Sequence, residues 1–87
     1  MATGFVHQFT HQLTDKDGAK YSIFAFGEPR SDGTWEGWIE FHPLDSTRSK
    51  LRTERETTQP DKAALEYWVT GLEPLYFEGA FARAGIR

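Results

Sequence analysis

No cysteine occurs anywhere in the 87 residues. That excludes a disulfide-stapled scaffold, thiolate metal sites and a cysteine nucleophile. No apolar run approaches the ~20 residues needed to cross a bilayer. Residues Met1–Phe5 have neither the basic nor the apolar region of a secretory signal. Small secreted domains are commonly rich in disulfides, so the expectation is a cytoplasmic chain with no membrane partner. No glycine run has phosphate-loop spacing, because Gly27 and Gly33 flank a loop rather than a strand-to-helix turn. Internal repeats, linkers and low-complexity tracts are absent as well. An excess of positive charge is also missing. Ten Lys and Arg face thirteen Asp and Glu, for a net charge of −3, and this balance counts against non-specific binding to nucleic acid or anionic membranes.

What the chain does have is aromatic area. Three Trp, three Tyr and seven Phe make up 15% of the residues, enough for a core in one domain spanning 1–87 without cross-links. Residues 5–13 alternate with period two, which predicts a strand with Phe5, His7, Phe9, His11 and Leu13 on one side; Phe5, Phe9 and Leu13 also fit one face of a helix, and the β-branched and aromatic content favours the strand. Asp17-Gly18 then offers a hairpin turn. Residues 19–26 read as a second strand, apolar on both faces: Tyr21, Ile23 and Ala25 on one, Phe24 and Phe26 on the other. A loop is expected over 27–33, and a third strand over 34–41, stopped by His42-Pro43. The polar stretch 50–57 is a candidate fourth strand at an edge.

Pro60 and Asp61 mark a helix start, with Thr58 or Gln59 as the expected cap. Ala64, Leu65, Trp68, Val69 and Leu72 follow at helical spacing. Gly71 and Pro74 interrupt it, giving one kinked helix or two helices over about 60–70 and 74–84. The predicted class is α+β: an antiparallel β-meander of three to four strands, followed by the helical segment packed on one face.

Trp38 is the most informative residue. If Trp35, Ile39 and Phe41 face the helices, Trp38 faces away between Glu36 and Glu40, in reach of Phe24 and Phe26. That arrangement makes an aromatic binding patch, or a Trp lying flat beneath an Arg or Lys side chain. The opposite facing, with Trp38 inside, stays open because Gly37 permits a bulge. A second candidate surface is Tyr76, Phe77 and Phe81, in a segment apolar nearly all round. Both lead to the same expectation, a non-catalytic module that self-associates or binds a protein partner, with no cofactor and no metal.

Two alternatives come from other classes. Arg48, Lys50, Arg52 and Arg55 could form a positive stripe for nucleic acid or a phosphate ligand; paired with Glu36 and Glu40 across the sheet, they would instead be a salt-bridge ladder. An enzyme or metal protein would use His7, His11 or His42. On a strand, however, His7 and His11 stand about 13 Å apart and cannot share one ion. No carboxylate pair can be set beside a nucleophile, so no catalytic residue is assigned.

Overall fold

The computed structural model describes residues 4–45 and 47–85. Three long strands come first: β1 (Gly4–Thr14), β2 (Lys20–Pro29) and β3 (Trp35–Pro43). They form an antiparallel meander in the order β1-β2-β3. Two short strands, β4 (Leu51–Arg52) and β5 (Thr57–Gln59), pair one after the other with the free edge of β3. Helices α1 (Lys62–Thr70) and α2 (Pro74–Gly85) complete the α+β chain.

The two hairpins are built alike. Asp15-Lys16-Asp17-Gly18 and Arg30-Ser31-Asp32-Gly33 each end on a glycine at positive φ, 87° and 91°, the left-handed position that glycine adopts without a Cβ clash. In the first, the Asp15 carboxylate accepts the backbone N–H groups of Asp17 and Ala19, both at 2.9 Å. In the second, Asp32 accepts the N–H and hydroxyl of Thr34. The second turn is tighter than the sequence suggested, because Gly27-Glu28-Pro29 continue β2 and His42-Pro43 continue β3.

The expected fourth strand over 50–57 is broken in two. Glu54 and Arg55 bulge away from β3, between Thr53 and Glu56, whose N–H donates to the Gly37 carbonyl at 2.8 Å, and the Thr53 hydroxyl supplies the acceptor that the ladder loses there. It takes the Ile39 N–H at 3.1 Å, while the Thr53 N–H donates to the Ile39 carbonyl at 2.9 Å. Strand β1 departs from strict alternation too. Its register against β2 shifts between Phe5 and His7 and again between Gln8 and Gln12. Val6 is thereby moved to the same side as Phe9 and Leu13, against the core.

Both helices lie on one face of the sheet. Their partners there are Tyr21, Ile23, Ala25, Ile39 and Phe41, all buried. Leu65 of α1, fully buried, sits over Gly27 and Gly37, which are direct cross-strand partners. A Cβ on Gly27 would lie 2.4 Å from one Leu65 methyl, and one on Gly37 would lie 2.7 Å from the other. The glycine pair is thus a notch cut for this leucine. The cap of α1 is Asp61, which accepts the Ala64 N–H at 2.8 Å, rather than Thr58 or Gln59, which belong to β5. Gly71 ends the helix, and Pro74 opens α2 where no amide donor is required.

Helix α2 lays Phe77, Ala80, Phe81 and Ala84 on the sheet. Phe77 packs on Phe9 at 4.6 Å between ring centroids, and Phe81 on Tyr21 and Phe41 at 5.1 and 5.0 Å. On its flank, Tyr76 donates its hydroxyl proton to Glu56, and Arg83 reaches the same carboxylate oxygen at 2.5 Å. Burial first, then the Glu56 carboxylate, pushes the Tyr76 phenol well above its ordinary range.

The leucine–glycine fit makes a quantitative prediction. Leu65→Ala should lower unfolding free energy by about 2–5 kcal/mol, and Gly37→Ala by about 1–3 kcal/mol through overpacking. Urea titration of the double variant should give a loss smaller than the sum, because the added methyl fills space the leucine vacates. Simple additivity would refute the fit.

Candidate functional site

The sheet's other face carries no described helix. Cross-strand register sets its side chains in rows: Ser22 beside His42, Phe24 beside Glu40, Phe26 beside Trp38 and Glu28 beside Glu36. Arg52 extends the Phe24–Glu40 row through β4, and Gln8 extends it through β1. Trp38 therefore faces away from the helices, with Phe24 and Phe26. Of the two facings the sequence left open, this is the one adopted. It follows from the notch: Gly37 must lie under Leu65, so its neighbour Trp38 must point the other way.

Trp38 is nevertheless only 2% exposed. The Arg52 guanidinium lies over its indole at 4.1 Å. Phe26 stands beside it, nearly parallel, at 6.2 Å and 13°. A long cation covering an aromatic face in this way both buries apolar area and gains cation–π attraction. The more open aromatic surface is formed by Phe24 and Phe26, partly buried, with the His42 ring 4.4 Å from Phe24 and 6.2 Å from Phe26.

Glu40 is the polar centre of this face and only 5% exposed. It accepts the Trp38 indole N–H at 2.8 Å on one oxygen. On the other it meets His42 Nε2 at 2.9 Å and the Lys50 ammonium at 3.4 Å. Burial alone would push the Glu40 carboxyl up. The hydrogen bonds from Trp38 and His42, with the Lys50 charge beside them, outweigh burial and hold it below the ordinary carboxylate range. A buried carboxylate is tolerable when it is paired and hydrogen-bonded in this manner.

The basic run does not form one stripe. Arg48 turns to Asp15 at the first hairpin, 3.5 Å away. Lys50 goes to Glu40, Arg52 lies on Trp38, and Arg55 is exposed on the bulge. A polar cleft of about 330 Å³ beside Trp38 is lined by Arg52 and Arg55 but equally by Glu36 and Glu54, so it has no single charge sign to offer an anion.

The second aromatic candidate is drawn inward. Phe77 is 2% exposed and belongs to the core. Phe81 is half-buried against Tyr21 and Phe41, and Tyr76 is held by Glu56. The exposed apolar residues of the helices are instead Tyr67 and Leu75. The histidines are separated. His11 stacks on Phe77 under α2, with its Nε2 buried and unpartnered, whereas His42 lies on the open face. Among the described residues no group of three or more His, Asp or Glu side chains could hold a metal. No described helix is long and apolar enough to cross a membrane.

Sequence reasoning grouped Trp38, Phe24 and Phe26 but missed Glu40 and His42 as their hub. The signal was available: Trp-x-Glu-x-His over 38–42 puts three polar-tipped side chains on one strand face. Comparison with protein-family models, curated proteins and solved structures finds no match.

The Glu40 hub gives a pH prediction. A carboxylate held below its ordinary 4.5 contributes stability that is complete above that value and is lost as pH falls through the lower folded value. The Trp38 indole N–H resonance should therefore shift in that acid window by NMR, and the shift should vanish in Glu40→Gln. Glu40→Ala strands the buried indole donor and should cost roughly 2–3 kcal/mol in a urea titration.

Proposed function

We propose that the chain is a non-catalytic association module and that its open sheet face is the contact surface. One observation carries this reading. Both helices are spent on the Ile23–Ile39 face, while the opposite face presents Phe24 and Phe26 with His42 beside them. Phe24 and Phe26 are partly buried there, and aromatic area left at the surface of a small chain is of the kind that marks a docking surface. Aromatic residues and arginine, here Trp38 under Arg52, are the types enriched where proteins meet. The nucleic-acid alternative has less support, since Arg48 and Lys50 are met by carboxylates and Arg52 by an indole.

A photo-crosslinking amino acid in place of Gln8, exposed and level with Phe24, reads out this surface in cells. It should yield a covalent protein adduct of fixed size. The same probe at Tyr67, on the outer side of α1, should not. The adduct should disappear when Phe24→Asp is added to the Gln8 variant, with circular dichroism unchanged. No adduct from Gln8, or an adduct indifferent to Phe24→Asp, overturns the reading.

A further inference from the structure

Aspartate is followed by glycine at only two places in the chain, Asp17-Gly18 and Asp32-Gly33, and each pair closes one of the two long hairpins. All four residues are exposed. Both glycines are at positive φ. Each donates its amide N–H across the turn at 3.0 Å, Gly18 to the Asp15 carbonyl and Gly33 to that of Arg30. A Cβ built on either would meet nothing within 4 Å. Backbone and access are therefore matched at the two sites.

The carboxylates are not matched. Asp32 Oδ1 accepts the Thr34 hydroxyl at 2.6 Å and the Thr34 N–H at 3.0 Å, with Arg30 Nε 3.8 Å away. At the first turn the equivalent N–H, that of Ala19, is already taken by Asp15 Oδ1, and alanine brings no hydroxyl. Asp15 can take it because a carboxylate stands at the first corner of that turn. The same corner of the second turn is Arg30, which has no acceptor to offer. Among the described residues nothing stands within hydrogen-bond or ion-pair distance of the Asp17 carboxylate.

We propose that Asp17 is a site of spontaneous main-chain rearrangement, isomerising to isoaspartate through a cyclic imide, and that the fold protects Asp32 from the same reaction. The Gly18 amide nitrogen attacks Asp17 Cγ and forms a new C–N bond; the amide hydrogen and the carboxyl OH leave together as water. Water then adds to one carbonyl of the ring. Opening at the α-carbonyl leaves Gly18 joined through the side-chain carbon, which is isoaspartate; opening at the other restores aspartate. Water is released and taken up again, and no oxidant, metal or enzyme is consumed. Ring closure requires the carboxyl carbon to turn its face to the glycine nitrogen, and it proceeds from the neutral acid, which can lose water. Asp17 has no bond to break before it turns. Asp32 must give up both bonds to Thr34. The same hydroxyl and N–H hold the Asp32 carboxyl below its ordinary range, which depletes the reactive neutral form. Isoaspartate adds one carbon to the main chain at the turn. It displaces the Gly18 N–H from Asp15 and loosens the neighbouring bond from the Asp15 N–H to the Ala19 carbonyl, at 2.8 Å. The rows that follow are Thr14 with Lys20 and Leu13 with Tyr21, so the change reaches the ring that receives Phe81.

Ageing of the purified full chain in weakly acidic buffer, followed by peptide mapping, tests the assignment. Isoaspartate is read by methyl transfer from an isoaspartyl carboxyl methyltransferase, and by lost cleavage with a protease that cuts before aspartate. It should accumulate at residue 17 about tenfold or more faster than at 32, the factor set by breaking one hydrogen bond to a charged group. In water labelled at oxygen, the product at 17 should carry one solvent oxygen. In guanidinium the unfolded chain should isomerise at both sites at comparable rates. Thr34→Ala, its fold checked by circular dichroism, should raise the rate at Asp32 severalfold and leave Asp17 unchanged. Equal rates at the two sites of the folded chain overturn the proposal. So does an Asp17 that stays intact in the folded chain while reacting in guanidinium, or an Asp32 that is indifferent to Thr34→Ala.

Discussion

Leu65 needs a place to go, and two glycines facing one another across β2 and β3 provide it. Side chains of any size at 27 or 37 would hold α1 away from the sheet. With the notch in place, α1 approaches closely enough for Leu65 and Val69 to be fully buried, and α2 follows after the short Gly71–Pro74 connection. The same contact fixes which way β3 faces. Because side chains alternate along a strand, Gly37 under the helix puts Ile39 and Phe41 in the core and sends Trp38, Glu40 and His42 to the other side. The composition of the open face is thus a consequence of the helix packing, although no described helix lies on it.

That open face has been made tolerable by pairing within the chain. A buried indole donor and a buried carboxylate each carry a desolvation cost, and each is the other's partner. Arg52 seals the indole from above while leaving its own charge near solvent. The surface that results sets partly buried aromatic rings around a polar hub whose groups are paired within the chain.

The regular parts of the fold were legible because local rules suffice for them. Asp17-Gly18 marked the first hairpin as a left-handed glycine turn, and aromatic and β-branched content favoured strands on either side of it; the second hairpin read only as a loop over 27–33 and proved shorter. That the helical segment is interrupted at Gly71 and Pro74 was equally local, although a kink and a break into two helices read alike there. The facing of β3 was not legible, since both sides of that strand carry a tryptophan and only a tertiary contact, Leu65 on the glycine pair, separates them. The bulge at Glu54 and Arg55 was invisible for another reason. A threonine hydroxyl standing in for a backbone acceptor leaves no mark in a polar stretch. Phe77 and Phe81 read as surplus apolar area in sequence, yet the long β1 and β2 strands offered Phe9, His11 and Tyr21 to receive them. The Glu40 hub could have been found from Trp-x-Glu-x-His alone, had the strand's facing been known.

Both margins of the sheet are irregular. On one side β1 slips register twice against its neighbour; on the other, β4 and β5 are two and three residues long with a bulge between them. Neither margin presents a straight row of free amides and carbonyls, so a passing strand finds no template on which to add. Growth by sheet extension, the route to open-ended fibrils, is thereby obstructed at both ends. Contact through a face is of another kind: once it is covered by one partner it is used up, and any assembly made that way is finite.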